Sequence, residues 1–310
     1  MFSPLVVIQR NPLSGSGRGR QQLLLLVSEL RRSGFRVRMF SSRERLDEFV
    51  RRPESSSRLR CIVAAGGDGT LASVIDRHPQ VLLAVMPLGT ENLVARFLKI
   101  PLCGKFVADL IRLGEIQSFD SGLVGSQRFL LMLSCGPDAR VIQLVNENRS
   151  RNIRRLSYLF PVMRTMFCEP LSHYEVQAKG LESVLRGCHV LVTNIPRYGF
   201  DLRFSPEADP TDGLLDIRVA HCRSRWQMIM HLLRVFFRLS IPDDQVTRIR
   251  SSGVTIRSVD AGTEPRLSQY DGDPGPAPEL QVVIEEKSVK LLCPQVQGSA
   301  GPEQIRGAAD

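Results

Sequence analysis

The apolar run Cys61-Ile62-Val63-Ala64-Ala65 passes directly into Gly66-Gly67-Asp68-Gly69-Thr70, and then into the helix-compatible stretch Leu71 to Asp76. A buried strand feeding a glycine turn that opens a helix is the pattern of an α/β unit. Three glycines in four positions let the backbone take positive φ and bring another molecule against the main chain. The helix N-terminus that follows presents free N–H groups to an anion. Asp68 is the unusual member, because a carboxylate beside a phosphate repels it unless it holds a divalent cation or orients a donor. Two readings fit these residues: a site for a nucleotide polyphosphate with metal, and a tight strand-to-helix turn that binds nothing.

The same layout recurs on either side. Pro4 to Gln9 reads as a buried strand, followed by the glycine- and arginine-rich loop Arg10-Asn11-Pro12-Leu13-Ser14-Gly15-Ser16-Gly17-Arg18-Gly19-Arg20 and a helix from Gln21 to Arg32. Leu23, Leu24, Val27 and Leu30 give that helix its apolar face, and Gly34 closes it. No Gly-Lys-Ser/Thr follows the loop, so it is not a Walker A loop, nor do its glycines fall in dinucleotide-binding spacing. Phe35 to Phe40 alternates apolar residues with Arg, as an edge strand does, and Ser42 to Val50 reads as a helix. Val81 to Met86 is a fourth strand, ending in Pro87-Leu88-Gly89-Thr90-Glu91-Asn92 before a helix from Leu93 to Phe97. Repeated strand–helix units predict an open, mostly parallel sheet covered on both faces. Ligands bind at the carboxyl ends of such strands, and all three glycine turns fall on that edge. Their agreement favours the phosphate reading.

Near Ile116 the pattern changes. Strands are expected at Phe129 to Leu133, Tyr174 to Ala178, His189 to Thr193, Leu215 to Val219, Val254 to Ile256, Arg266 to Tyr270 and Leu280 to Ile284, with helices at Asp138 to Asn148, Ile153 to Phe167 and Arg225 to Leu239. The fold class expected is α/β plus β: an N-terminal open, mostly parallel sheet and a C-terminal, mainly antiparallel β domain. The boundaries read are 1–118 for the first domain, completed by 287–296, then 119–286 for the second, with 297–310 as a disordered tail.

Composition removes several classes. Seven scattered cysteines without a C-x-x-C pair argue against a disulfide framework or zinc ribbon and suit a reducing compartment. No apolar stretch approaches the ~20 residues needed to span a bilayer, and the N-terminus lacks a signal-peptide pattern. Of the net charge of +9, residues 1–60 carry +8, from thirteen arginines, no lysine and five acidic residues. A basic lobe attracts phosphates or an anionic membrane; the excess of 36 Arg over 5 Lys is also what codon bias would produce. Aromatics that could stack on bases are not interleaved with the arginines, which speaks against nucleic acid.

Taken together, Asn11-Pro12 with Ser14-Gly15, Gly66 to Thr70, Pro87 to Asn92, the segment Asp212-Gly213-Leu214-Leu215-Asp216 and Asp271-Gly272-Asp273 resemble the diacylglycerol kinase catalytic-domain superfamily. The likeness is strongest to bacterial soluble lipid kinases of the YegS and DgkB type, with sphingosine and ceramide kinases as relatives. It runs over nearly the whole chain. NAD kinases share the G-G-D-G-T turn, but their Asn-Glu motif does not follow it here.

The resemblance implies ATP in a cleft between the domains, lipid in the second domain, and a last strand, Val289 to Cys293, returning to the first. It implies nucleotide contacts at Asn11, Ser14, Gly15, Ser41, Gly66, Gly67, Asp68, Gly69, Thr70, Thr90 and Asn92. A structural magnesium maps to Asp209, Asp212 and Leu214, and Asp68 is a candidate for the catalytic one. Ala72 and Leu93 stand where the family often has Asn and Asp, and the segment after Asn194 is reduced to Tyr198-Gly199-Phe200.

Phosphoryl transfer depends on positioning, charge neutralisation and an in-line hydroxyl. Asp271 and Asp273 are the catalytic candidates, one accepting the hydroxyl proton and the other supporting it or the metal; an isolated Asp-Gly-Asp is equally a hairpin turn. The expected function is an ATP- and Mg-dependent lipid kinase acting on a hydroxyl of a diacylglycerol-like lipid. It would work in the cytoplasm, in peripheral contact with an anionic inner membrane surface, with no nucleic-acid partner and with room for a homodimer. The alternatives are a non-catalytic lipid- or nucleotide-binding homologue and an NAD kinase. The stripe Trp226, Ile229, Met230, Leu233, Phe236 and Phe237 is read first as core packing and second as a membrane face; Arg151 to Phe167 is read the same way.

Overall fold

The structure is a computed structural model that describes residues 3–12, 14, 17–147, 158–202, 204–259, 268–277 and 279–295. Its first sheet has ten strands. Four of them, β1 (Leu5–Arg10), β2 (Arg36–Phe40), β3 (Leu59–Gly66) and β4 (Leu83–Pro87), run parallel in the order β2-β1-β3-β4. Between them lie α1 (Arg18–Arg32), α2 (Arg43–Arg51), the single turn α3 (Pro53–Ser56) and α4 (Asp68–Arg77). After β4 come α5 (Leu93–Phe97) and α6 (Gly104–Leu113). The periodicity read from the sequence is the cause: Leu23, Leu26, Val27 and Leu30 of α1 are buried on one face, and Ser42 accepts from Arg45 N to cap α2. As its Arg/apolar alternation implied, β2 is the edge strand.

This sheet continues past its parallel half. The 15-residue strand β16 (Glu279–Cys293) pairs parallel with β4 at Leu291–Leu83, and antiparallel with both β5 (Glu115–Val124) and β13 (Gly253–Ser258). Strands expected separately at Leu280 and Val289 are thus one, and its end returns to β4. The boundary placed at residue 118 falls inside β5. β13 leads to β8 (Tyr174–Ala178) and β9 (Leu185–Gly187), while β6 (Gln127–Phe129) pairs with β5.

The second sheet has six strands in the order β12 (Val246–Ser251), β11 (Leu215–Ala220), β10 (His189–Thr193), β7 (Met132–Cys135), β14 (Ser268–Tyr270) and β15 (Asp273–Pro274). Every pairing in it is antiparallel. The two-layered α/β and antiparallel architecture therefore matches the sequence expectation. Side chains alternate across these strands: Leu133, Cys135, Val190, Val192 and Tyr270 enter a core shared with the first sheet, where Val176, Val254 and Val282 lie. Met132 and Leu191, on the opposite face, join the core of the α/β half. Ser134, His189 and Gln269 have that same parity, and it is this face that borders the site.

Among the described residues three further α-helices follow: α7 (Pro137–Glu147), α8 (Leu159–Cys168) and α9 (Arg225–Phe236). The start of the helix expected at Ile153, and the tail 297–310, lie outside the described residues. The stripe on α9 is not core: Trp226, Phe236 and the following Phe237 are 67%, 60% and 63% exposed. On that helix Met228, His231 and Val235 are the buried positions.

Candidate active site

The β3–α4 and β4–α5 turns lie backbone against backbone. Leu88 N donates to Gly66 O at 2.9 Å. A side-chain carbon on Gly89 would overlap Gly67 Cα and come within 3.0 Å of Gly67 N and 2.8 Å of Asn92 Oδ1. One on Gly66 would overlap the Thr70 hydroxyl. The expectation that these glycines supply positive φ is therefore corrected: Gly67 has φ −91°, and none of Gly66, Gly67, Gly69 and Gly89 is among the positive-φ residues described. They are required for close approach. Gly66 faces Thr70 and does not line the cavity, whereas Gly67, Asp68, Gly69 and Thr70 do. Gly69, exposed on the first turn of α4, has open space where a side chain would be, the nearest atom being Asp273 Oδ2 at 3.8 Å.

Asp68 and Asn92 organise the second turn. Asp68 Oδ2 accepts from Leu93 N at 2.9 Å and Oδ1 from Val94 N at 3.1 Å, so its carboxylate caps α5 across the sheet edge. Leu93 contributes its backbone amide to this cap. Burial raises the Asp68 pKa and outweighs the lowering by those amides. Asn92, in the left-handed region at φ 49°, closes the turn on itself: Oδ1 accepts from Gly89 N at 2.8 Å and Nδ2 donates to Gly89 O at 2.9 Å. Their first tasks are thus to hold this turn. Asp68→Ala is expected to lower unfolding stability by about 1–2 kcal/mol, read from urea titrations, since it strips α5 of its cap.

Around these turns lies a cavity of about 2000 Å³. Asn11, Ser14, Ser41, Thr90 and Asn92 line it, while Gly15 is outside the described residues. Arg18 lines it, as do Arg10, Arg43 and Arg96, which motif reading did not single out; Arg20 does not. The basic lobe therefore places several guanidinium groups beside the helix N-termini, where a polyphosphate finds both.

Asp271, Gly272 and Asp273 line the same cavity. Asp271 (φ 49°) and Gly272 (φ 86°) are the two left-handed residues of the β14–β15 hairpin. The hairpin reading therefore describes this turn. Asp271 Oδ2 accepts from Leu130 N at 2.8 Å, and Oδ1 from Leu131 N at 2.9 Å and Met132 N at 3.0 Å. Those amides are withdrawn from the ladder, which is why the strand expected at Phe129 to Leu133 is broken into β6 and β7. Burial pushes the Asp271 carboxyl up to about 7, with the three amides lowering it and the Asp68 charge raising it. Three acceptor positions of about four are filled, so one remains. Asp273 is half-buried, with its Oδ2 toward the first turn of α4.

The far half of the cavity is apolar, walled by Val162, Met163, Phe167, Leu232, Leu233 and Phe236 from α8 and α9. Into this half projects a polar cluster that sequence reasoning missed. Asp138 Oδ2 accepts from Ser134 Oγ and Tyr198 OH, both at 2.5 Å; Oδ1 accepts from Ala139 N at 2.9 Å and lies 3.3 Å from His189 Nε2. Burial alone would raise the Asp138 pKa, but the His189 charge and these hydrogen bonds bring it down to about 2. Burial likewise opposes charge on His189, and Asp138 overcomes it, leaving the imidazole pKa raised. The one local signal was an Asp at the first turn of α7.

The loop read as a structural magnesium site lies away from the cavity. Asp209 Oδ1 accepts from Thr211 N at 3.0 Å and Thr211 Oγ1 at 2.7 Å; Asp212 Oδ1 accepts from Leu214 N at 2.9 Å and Oδ2 is paired with Arg250 Nη2. Asp120 ties the loop to β16 through Gly213 N at 2.8 Å and Lys287 N at 2.7 Å. The Arg250 guanidinium neutralises the Asp212 carboxylate. The bonds from Thr211 and Leu214 close the loop 209–214 on itself.

Residues 4–124 match the diacylglycerol kinase catalytic domain, and residues 132–293 match the YegS C-terminal NAD kinase beta sandwich-like domain. The chain belongs to the bacterial YegS/DgkB-like family. Among its relatives, a Pseudomonas putida protein named "Probable lipid kinase YegS-like" is 31% identical over 51% of this chain and 55% of its own length. A Mycobacterium tuberculosis diacylglycerol kinase is 25% identical over 68% of this chain and 70% of its own. A crystal structure of a diacylglycerol kinase from Bacillus anthracis superposes with TM-score 0.71 at 19% identity, covering 95% and 98% of the two chains. Yeast NADH kinase shares the fold more distantly, with TM-score 0.53 at 12% identity over 95% and 84%. At the level of the family the chain is a lipid kinase, and a kinase of this family implies ATP as the phosphate donor. No helix among the described residues is long and apolar enough to cross a membrane.

Proposed function

We propose that the protein transfers the γ-phosphate of ATP to a hydroxyl of a diacylglycerol-like lipid. The observation that carries this is a single cavity joining two glycine turns and four arginines to an apolar chamber, with Asp271 and Asp273 also on its lining. The Gly67–Thr70 amides, Thr90 and Arg10, Arg18, Arg43 and Arg96 bind the polyphosphate. Magnesium arriving with ATP takes few protein ligands and many from phosphate and water. Asp273, open and facing the α4 N-terminus, is the carboxylate that would hold it, with Asp68 behind; the ion supplies charge neutralisation at the transferred group. Asp271 is the general base: three amides fix it, one acceptor position remains, and a pKa near the working pH suits proton abstraction. The apolar chamber takes the acyl chains and excludes water. Incubating the protein with γ-labelled ATP and, separately, diacylglycerol, a total lipid extract and NAD tests the proposal. Label is expected in diacylglycerol or another lipid; label in NAD alone, or in no acceptor, refutes it.

Access for such a lipid is supported by α8 and α9, whose exposed Met163 and Phe236 line the chamber, with Phe160 and Trp226 exposed on the same helices and Phe237 exposed just after α9. Arg223, Arg225, Arg234 and Arg238 accompany α9, and no acidic residue lies between 221 and 241, as suits an anionic bilayer. Trp226→Ala with Phe236→Ala is expected to weaken binding to anionic vesicles at least about tenfold, read by co-sedimentation, with ATP binding unchanged.

A further inference from the structure

Gln269 lies on β14 opposite Ser134 of β7, on the face away from the sandwich core, and is 2% exposed. Its amide spans two groups. Oε1 accepts from Gly272 N at 3.0 Å, and Nε2 donates to Ser134 Oγ at 2.8 Å. Ser134, fully buried, then directs its single O–H to Asp138 Oδ2 at 2.5 Å. The polarity of the chain is fixed at each link: a backbone N–H only donates, so the Gln269 oxygen must face it, and an ionised Asp138 only accepts. Asp138 is itself held by Tyr198, Ala139 N and His189. A buried hydrogen-bond chain thus runs from the apolar chamber to the amide between Asp271 and Asp273.

That amide is a second point at which the turn is held from outside. Asp271 is anchored by Leu130, Leu131 and Met132 amides independently of Gln269. Asp273 pairs with Tyr270 across the hairpin and follows a glycine at φ 86°, so the bond from Gln269 to the Gly272 amide adds a side-chain hold on a turn whose glycine is otherwise free to rock. We infer that Gln269 is a positioning residue for Asp273, fixing the Gly272 peptide so that the Asp273 carboxylate faces Gly69 and the α4 N-terminus. Asp138 and Ser134 serve as its buried anchor. The inference rests on the reading of this site as the phosphoryl-transfer centre.

The test combines Gln269→Leu, Asp273→Asn and the double variant in the full-length protein. Gln269→Leu is expected to lower kcat about tenfold or more with KM for ATP and lipid within about threefold, because a misdirected carboxylate affects the transition state more than ground-state binding. In the Asp273→Asn background the same change should alter kcat less than twofold, since its target is gone. Gly272 amide exchange should quicken at least tenfold in Gln269→Leu, while the Asp271 amide, bonded to Met132 O at 3.0 Å, stays protected. Equal loss of kcat in both backgrounds, wild-type kcat in Gln269→Leu, or unchanged Gly272 exchange overturns the inference. Ser134→Ala, which removes the anchor and keeps Gln269, should show the same pattern more weakly and replaces Gln269→Leu if that variant does not fold. A wild-type protein that labels no lipid would overturn the functional reading, and the exchange measurement would still decide whether Gln269 holds the turn.

Discussion

Asp271→Asn is expected to lower kcat by about 10²- to 10⁴-fold, the range a positioned general base contributes. The side chain keeps its size, but one oxygen becomes an NH₂ group facing backbone N–H donors, so binding of the Leu130, Leu131 and Met132 amides is partly lost as well. The pH dependence separates the two effects. With its carboxyl pushed up to about 7 by burial, Asp271 is protonated below neutrality and cannot accept a proton. Wild-type kcat should therefore rise with pH and level above about 7, with unit slope on the acid side. In Asp271→Asn that limb should vanish. Stability runs the other way. Between the ordinary carboxylate value and about 7 the folded state holds the proton that the unfolded state has released, so stability falls as pH rises through this window. Asp271→Asn removes this slope too, measurable from urea midpoints at pH 4 and pH 7. Asp273→Asn should reduce kcat while leaving the limb near 7 in place; the opposite assignment of the limb would exchange the roles of the two aspartates.

What could be read from the sequence was what neighbours in the chain decide. Apolar runs ending in Gly66-Gly67-Asp68 and Pro87-Leu88-Gly89 are local, and they gave the parallel sheet and its ligand edge. What could not be read depends on contacts across the fold. The strand break after Phe129 is made by Asp271, 140 residues from Leu131. Asp68 caps α5 through two amides 25 and 26 residues away. Asp212 is neutralised by Arg250 on the paired strand β12, a partner 38 residues away. The polar cluster at Asp138 joins Ser134, Tyr198 and His189 from separate segments, with no spacing that marks them as partners. Periodicity reported the apolar stripe on α9 correctly, but the stripe rims a chamber instead of a core, and the two have one pattern.

The three glycines that face the nucleotide edge should respond to alanine in different ways, and the order separates packing from ligand contact. Gly89→Ala is expected to be the most damaging, at about 3 kcal/mol or more. Its new carbon would overlap Gly67 Cα and lie 3.0 Å from Gly67 N, and backbone cannot swing aside as a long side chain can. Gly67→Ala comes next at roughly 1–3 kcal/mol, because its carbon would sit 3.2 Å from Gly89 Cα and the turns need separate only slightly. Gly69→Ala has free space around it, with Asp273 Oδ2 at 3.8 Å, and lies on the first turn of α4. There alanine should leave stability unchanged or raise it by about 0.4–1 kcal/mol. If phosphate rests on that exposed turn, the same Gly69→Ala should weaken ATP binding at least tenfold, because the methyl group occupies the approach to the N-terminal amides of α4. Thermal denaturation and ATP titration of the three variants give two orderings: stability should fall in the order Gly69, Gly67, Gly89, while Gly69→Ala alone should lose nucleotide without losing stability. A stable Gly69→Ala protein with wild-type ATP affinity would move the phosphates off the turn around which the first sheet is built.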